Sequence, residues 1–150
     1  MIRVQLEDFD VSSEIKALEN GTKQTGAVVS FVGLVRDFTH GQQQDVGITL
    51  EHYPGMTEQQ LQDIEHQARA RWALANVTII HRVGTLSAGE QIVLVLTSSR
   101  HRQEAFEAAN YIMDILKTEA TFWKKEHAGQ DAEWVGARDT DRQAADRWKT

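Results

Sequence analysis

An α+β domain, with helices packed on a mixed or antiparallel sheet, is predicted by three features of this 150-residue sequence. Short runs rich in β-branched and apolar residues recur at 26–36, 48–53, 77–84 and 90–99, separated by polar turns. Two longer stretches, one opening at Thr57 and one at Ala105, place their apolar residues at three- and four-residue steps, the period of a helix with one buried face. No Gly/Ser/Pro-rich linker, internal repeat or low-complexity run interrupts them. With 41% hydrophobic residues the chain can build one real core, so a single domain over 1–150 is expected.

The first element is a half-buried strand, because Ile2, Val4 and Leu6 alternate with Arg3, Gln5 and Glu7. VSSEIKALEN, ended by Gly21, predicts a short helix. Residues 26–36, GAVVSFVGLVR, are almost continuously apolar and predict a strand buried on both faces. Arg36 closes that run before the polar loop DFTHGQQQD, where its guanidinium either meets an anion at the sheet margin or pairs with a nearby carboxylate. ITLEHY, 48–53, is the next strand. The helix after it is expected to start with Thr57 as N-cap, Gln60 as capping-box partner and Met56 stapled onto Leu61, and to bury Leu61, Ile64, Ala68 and Trp72. Strands at 77–84 and 90–99 are joined by TLSAG, which predicts a hairpin.

The stretch from His101 to Glu126 organises the rest. Ala105, Ala109, Ile112, Met113, Leu116 and Ala120 share one helical face, and Lys117 falls roughly 95° from the centre of that stripe, at its edge. An ammonium there either projects past apolar packing into a cleft or is simply solvated. Ser98 or Ser99 is expected to cap the helix, which leaves Arg100, His101 and Arg102 around its first turn. Cations are disfavoured at the positive end of a helix dipole unless an anion binds between them or acids such as Glu104 pair with them. Beyond the helix, extended TFWKKEH puts Phe122, Lys124 and Glu126 on one face and Trp123, Lys125 and His127 on the other. AEWVGAR, 132–138, is a candidate partner strand, and 139–150 reads as a polar, mobile tail with a weak helical pattern that orders when Trp148 finds a partner.

Composition narrows the function classes. A net charge of −6 and a pI near 5.5 argue against broad electrostatic binding to nucleic acid. No run approaches the roughly 18 apolar residues of a membrane span, and the start lacks a signal-peptide pattern, so a cytoplasmic protein with no membrane partner is expected. The chain has no cysteine, which removes thiol nucleophiles, thiolate metal sites and any persulfide of its own. Its six histidines show no close metal-ligand pairing, so no metal site is expected.

Taken together, FVGLVRD, TLEHYPGMTE, IIHRVGTLSAGEQIVLV, SSRHRQEAFEAANYIMDILKTEATFWKKE and WVGARDTD resemble the large, catalytic subunit of molybdopterin synthase. The set spans nearly the whole chain. The resemblance implies an α/β hammerhead-like fold with a small additional antiparallel β subdomain. It also implies a homodimer at the centre of a heterotetramer, with a small ubiquitin-like sulfur-carrier subunit at each outer end. That partner carries a C-terminal thiocarboxylate, and the implied reaction places two sulfurs on cyclic pyranopterin monophosphate to make the dithiolene of molybdopterin. No bound cofactor is implied.

By the same resemblance, Lys117 and Lys124 are the active-site lysines, Arg36 is the pocket arginine, and His101 and Arg102 bind substrate. Leu34, Val35, Lys125 and Glu126 line the same pocket, with Phe31 and Met113 as its apolar wall. The sequence departs from the common pattern at Thr121, where proline often precedes FWK, and at Arg100, where a small residue is usual. Since sulfur would arrive on the partner, this chain supplies electrostatics, acid/base groups and orientation. Two other classes remain: a non-catalytic module that grips a ubiquitin-like tail, and a phosphoester- or nucleotide-binding enzyme, which no Gly-rich loop supports. Helix geometry adds a constraint. His101 and Lys117 would be roughly 24 Å apart on a continuous helix, so either the helix breaks or each site is shared by two subunits.

Overall fold

The computed structural model describes residues 1–18, 23–129 and 131–149. Eight strands and four helices run in the order β1 (Ile2–Gln5), α1 (Val11–Leu18), β2 (Ala27–Leu34), β3 (Val46–His52), α2 (Met56–Arg71), β4 (Asn76–Arg82), β5 (Gly84–Ser87), β6 (Gln91–Ser99), α3 (Arg102–Glu119), β7 (Phe122–Ala128), β8 (Asp131–Val135) and α4 (Asp139–Asp146). The α+β expectation holds, and the strands divide into two sheets rather than one. Gly21, expected to end the first helix, lies outside the described residues.

The first sheet has the order β1-β4-β6-β2; β1 pairs parallel to β4 and the other pairs are antiparallel. Helices α2 and α3 cover one face through Leu61, Ile64, Ile112 and Leu116 against Val77, Ile79, Val93 and Val95. On the other face Ile80, Leu94 and Leu96 meet Phe9 and the α1 residues Val11, Ile15 and Leu18. The second sheet, β5-β3-β7-β8, is wholly antiparallel. Ile48, Leu50, Val83, Leu86 and Val35 form a separate core beside it.

Four local expectations are corrected. The run at 26–36 is an edge strand rather than one buried on both faces: β2 pairs only with β6 and leaves Val28, Phe31 and Leu34 exposed. The strands buried on both faces are β4 and β6. The 77–84 and 90–99 strands do pair, but TLSAG is not a plain turn, because β5 crosses into the second sheet and pairs with β3. Helix α2 is capped two residues earlier than Thr57: Gly55, at φ +86°, is its N-cap, and Glu58 accepts the Gly55 N–H at 2.8 Å, while Met56 is half exposed instead of stapling. Neither Ser98 nor Ser99 caps α3; both are buried in β6, His101 is the N-cap, and the Ser99 hydroxyl donates to the His101 carbonyl.

The weak helical pattern of the C-terminal segment is realised as α4. Trp148 finds its partners within the chain, edge-on to Trp72 and Tyr111 at 5.7 and 5.4 Å, with its indole N–H donating to Asp114 at 2.6 Å. Asp114 also accepts from the Arg147 guanidinium. No helix among the described residues is long and apolar enough to cross a membrane.

Candidate active site

The end of β2, the end of α3 and the start of β7 converge on one cavity of about 650 Å³, within the range of small-molecule sites. Each arrives for a local reason. At Gly33 an added Cβ would stand 2.6 Å from Val93 Cγ1, and the register slips between Gly33 and Leu34, so the chain can press against β6 and then turn. Val35 is then held from both sides: its N–H donates to the Glu90 carbonyl at 2.8 Å and its carbonyl accepts from Gly89 at 2.7 Å. This pins the backbone that presents Arg36 at the cavity edge.

Helix α3 is stapled to the first sheet by Ala105, Ala108, Ala109, Ile112, Ile115 and Leu116, and Tyr111 is buried as well. The stripe is wider than the sequence periodicity alone suggested. Lys117 leaves its edge and lines the cavity together with Met113. The residue as a whole is exposed, yet its ammonium sits where burial lowers its pKa from the usual 10.5. Repulsion from Lys124 is the next cause, Asp141 opposes it, and Arg138 and Arg36 add smaller repulsions. At neutral pH the ammonium is therefore easier to deprotonate than an ordinary lysine.

Strand β7 alternates as the sequence predicted. Phe122, Lys124 and Glu126 line the cavity, and Lys124 Nζ lies 3.7 Å from Glu126 Oε1. Lys125 points to the other face, 5.7 Å over the Trp134 ring, so its expected place in the same pocket is corrected by the strand's own pleat. Phe31, Leu34 and Val35 are in the cavity wall. No carboxylate among the described residues pairs with Arg36, and none pairs with Arg100, His101 or Arg102, so the salt-bridge explanations for these cations fall away.

His101 and Arg102 are not in this cavity. They are exposed at the opposite end of α3, which runs unbroken from Arg102 to Glu119. A sharp helix break is thereby removed, and the separation of roughly 24 Å given by the helical rise stands.

Three titratable side chains of the cavity were missed in the sequence. Arg138 and Asp141 enter the cavity from the start of α4, and Asp141 Oδ2 accepts the Arg138 N–H at 3.2 Å. No local pattern ties them to Lys117, because the link is a tertiary fold-back. The third is His81, buried on β4 and stacked on Phe122 with ring centroids 3.9 Å apart. Its Nδ1 lies 2.8 Å from the Arg82 carbonyl, which can only accept, so Nδ1 carries the proton and Nε2 keeps a lone pair. Burial, with smaller repulsions from Lys117 and His52, lowers its pKa from 6.5 to about 4 against the raising effect of the Arg82 bond.

That shift has a signed consequence. Between pH 6.5 and about 4 the unfolded chain takes up a proton on His81 that the folded chain refuses. The associated stability is complete above 6.5 and is lost as pH falls through this window, by about 3 kcal/mol in all. Denaturant midpoints measured down the window should show that slope, and His81→Gln should flatten it. An unchanged slope in the variant would assign the acid sensitivity to other groups.

Among known protein families, the model described as MoaE protein matches residues 4–119. The molybdopterin synthase catalytic subunit of Mesorhizobium japonicum is 52% identical over 151 residues, covering 99% of this chain and 93% of that protein. The molybdopterin synthase catalytic subunit of Vibrio cholerae is 53% identical over 148 residues, covering 99% and 97%. Among solved structures, the molybdopterin cofactor biosynthesis protein E from Burkholderia multivorans superposes with a TM-score of 0.84 at 45% identity, covering 100% of this chain and 97% of that one.

Proposed function

Since the chain belongs to the MoaE protein family, we propose that it is the sulfur-transferring subunit of a molybdopterin synthase. It moves sulfur from the C-terminal thiocarboxylate of a small ubiquitin-like partner to cyclic pyranopterin monophosphate and so forms the dithiolene of molybdopterin. The observation that carries this reading is the convergence of Lys117, Lys124 and Arg36, from three separate elements, on one cavity with an apolar wall. A module that merely gripped a tail would need the cleft but not the cations. Cytoplasmic location, and a homodimer of this chain within a heterotetramer, belong to the same proposal.

The roles follow from the environment of each group. Lys117, with its lowered pKa, is the group best suited to accept or relay a proton, or to attack, during release of sulfur from the thiocarboxylate. Lys124 is held beside Glu126 and supplies fixed positive charge where the thiocarboxylate and the attacked pterin develop negative charge. Arg36 offers a planar, two-pronged donor to an anionic group at the cavity edge. Phe31, Leu34 and Met113 give an extended, glycine-ended tail a surface without charge.

His101 and Arg102 are assigned to the substrate phosphate from a second copy of the chain. Their position at the N-terminus of α3 suits an anion, because the free amides and the helix dipole add to the two side chains. An isologous dimer then contains two equivalent sites.

The adjacent lysines test the cavity assignment. In a complex reconstituted with thiocarboxylated partner and pterin, Lys124→Ala should lower turnover by about 10²-fold or more, as expected for loss of a preorganised charge. Lys125→Ala should leave it within about threefold, since a partly exposed cation–π pair outside the cavity is a small contribution. Equal losses would mean that the two act through general charge rather than through the cavity.

A further inference from the structure

We infer that the first turn of α2 is a clamp that fixes the two active-site lysines relative to each other, with Gln60 and Thr57 as positioning residues. Its kinetic consequence rests on the sulfur-transfer reading; its structural content does not.

Thr121 is the hinge between the lysines. It lies four residues after Lys117 and three before Lys124, in the gap between the last residue of α3, Glu119, and the first of β7, Phe122. The helix ladder ends there: Ala120 still donates to Leu116 at 3.3 Å, but its own backbone is already extended at φ −77° and ψ 134°. Rotation of the peptides on either side would shift β7 together with the sheet it shares with β3 and β8, and Lys124 with it, while Lys117 stayed on the helix.

Both backbone groups of Thr121 are taken by side chains from α2, more than 60 residues earlier in the chain. The N–H donates to Gln60 Oε1 at 2.7 Å, and the carbonyl accepts from the Thr57 hydroxyl at 2.9 Å. Thr57 is fully buried, and its oxygen also accepts the Tyr53 N–H at 3.0 Å, which ties in the end of the β3 segment. Neither residue is occupied with capping its own helix, because Glu58 performs that task at Gly55. The peptide before Thr121 is held by its N–H and the peptide after it by its carbonyl, so neither can turn without breaking one of these bonds.

Proline chemistry supplies a sharp test. The extended conformation of Ala120 is the one a residue adopts before proline, so proline at 121 would fit the preceding backbone and stiffen the hinge through its ring. It would also remove the N–H and leave Gln60 with nothing to hold. Gln60 and a proline are thus alternative ways of fixing the same turn.

The experiment uses the complete complex with thiocarboxylated partner and pterin, plus residue-resolved amide exchange on the same proteins. Gln60→Ala should lower kcat roughly tenfold with KM unchanged, as expected for a small misplacement of a reacting group. It should also speed exchange at Thr121 through Lys124 while leaving β4 and β6 as protected as before. Gln60→Glu, which keeps an acceptor oxygen, should recover most of the rate. On a Thr121→Pro background, Gln60→Ala should cost nothing further. A wild-type kcat in Gln60→Ala, an equal loss on both backgrounds, or unchanged exchange at the hinge would overturn the clamp. A wild-type complex without turnover would sink the sulfur-transfer reading instead, and the exchange rates would then decide the clamp by themselves.

Discussion

Lys117→Ala should reduce turnover by about 10²–10⁴-fold, the range for removal of a positioned acid/base group, with folding and partner docking unchanged. The burial at this end of α3 is carried by Ile112, Ile115 and Leu116, so truncating the lysine opens no cavity in the core. Its chemical value comes from its surroundings: burial and the nearby Lys124 disfavour the ammonium. Lys117→Arg should be nearly as damaging, because a guanidinium keeps the charge but does not give up its proton. In the wild type, the single-turnover rate should rise with pH as the lysine loses its proton, with an inflection below the usual 10.5. Near-normal rates in Lys117→Ala would assign the chemistry to another group.

Mixing two inactive proteins should restore activity. On the proposed assignment, His101→Ala/Arg102→Ala chains lack the phosphate clamp and Lys117→Ala chains lack the base, so homodimers of either have no intact site. On an unbroken α3 the two groups cannot meet around one pterin within a chain. If the helix N-terminus of one copy faces the lysine cavity of the other, a heterodimer pairs the intact cavity of one chain with the intact clamp of its partner. It regains one working site of two. Absence of recovery in heterodimers verified by mass would reject the shared site and require a different ligand for the phosphate.

Patterns confined to a few residues were legible in the sequence, and those set by distant parts of the chain were not. The opposite facing of Lys124 and Lys125 follows from the pleat of a strand, and the structure keeps it. The place of Lys117 at the edge of the apolar stripe follows from the helical period in the same way. The apolar run of β2 reports hydrophobicity but not the number of neighbours; at a sheet edge part of that surface stays open. Thr57 and Gln60 carry the residue types and spacing of a capping box, yet their side chains turn to Thr121 because Gly55 and Glu58 already close the helix. Arg138 and Asp141 reach Lys117 only because Trp148 and Arg147 dock α4 on α3 through Asp114. The departure at Thr121 also gains a meaning that sequence could not supply: the N–H that proline lacks is the one Gln60 holds.

The most direct measurement is single-turnover mass spectrometry of the partner's C-terminus in the reconstituted complex. Sulfur transfer at this cavity predicts that the thiocarboxylate is converted to a carboxylate only when both this chain and the pterin are present, with two partner tails consumed for each dithiolene formed. Lys117→Ala should leave the tail bound and still thiocarboxylated. Conversion at an equal rate in that variant, or a tail that binds the wild type and never loses sulfur, would contradict it.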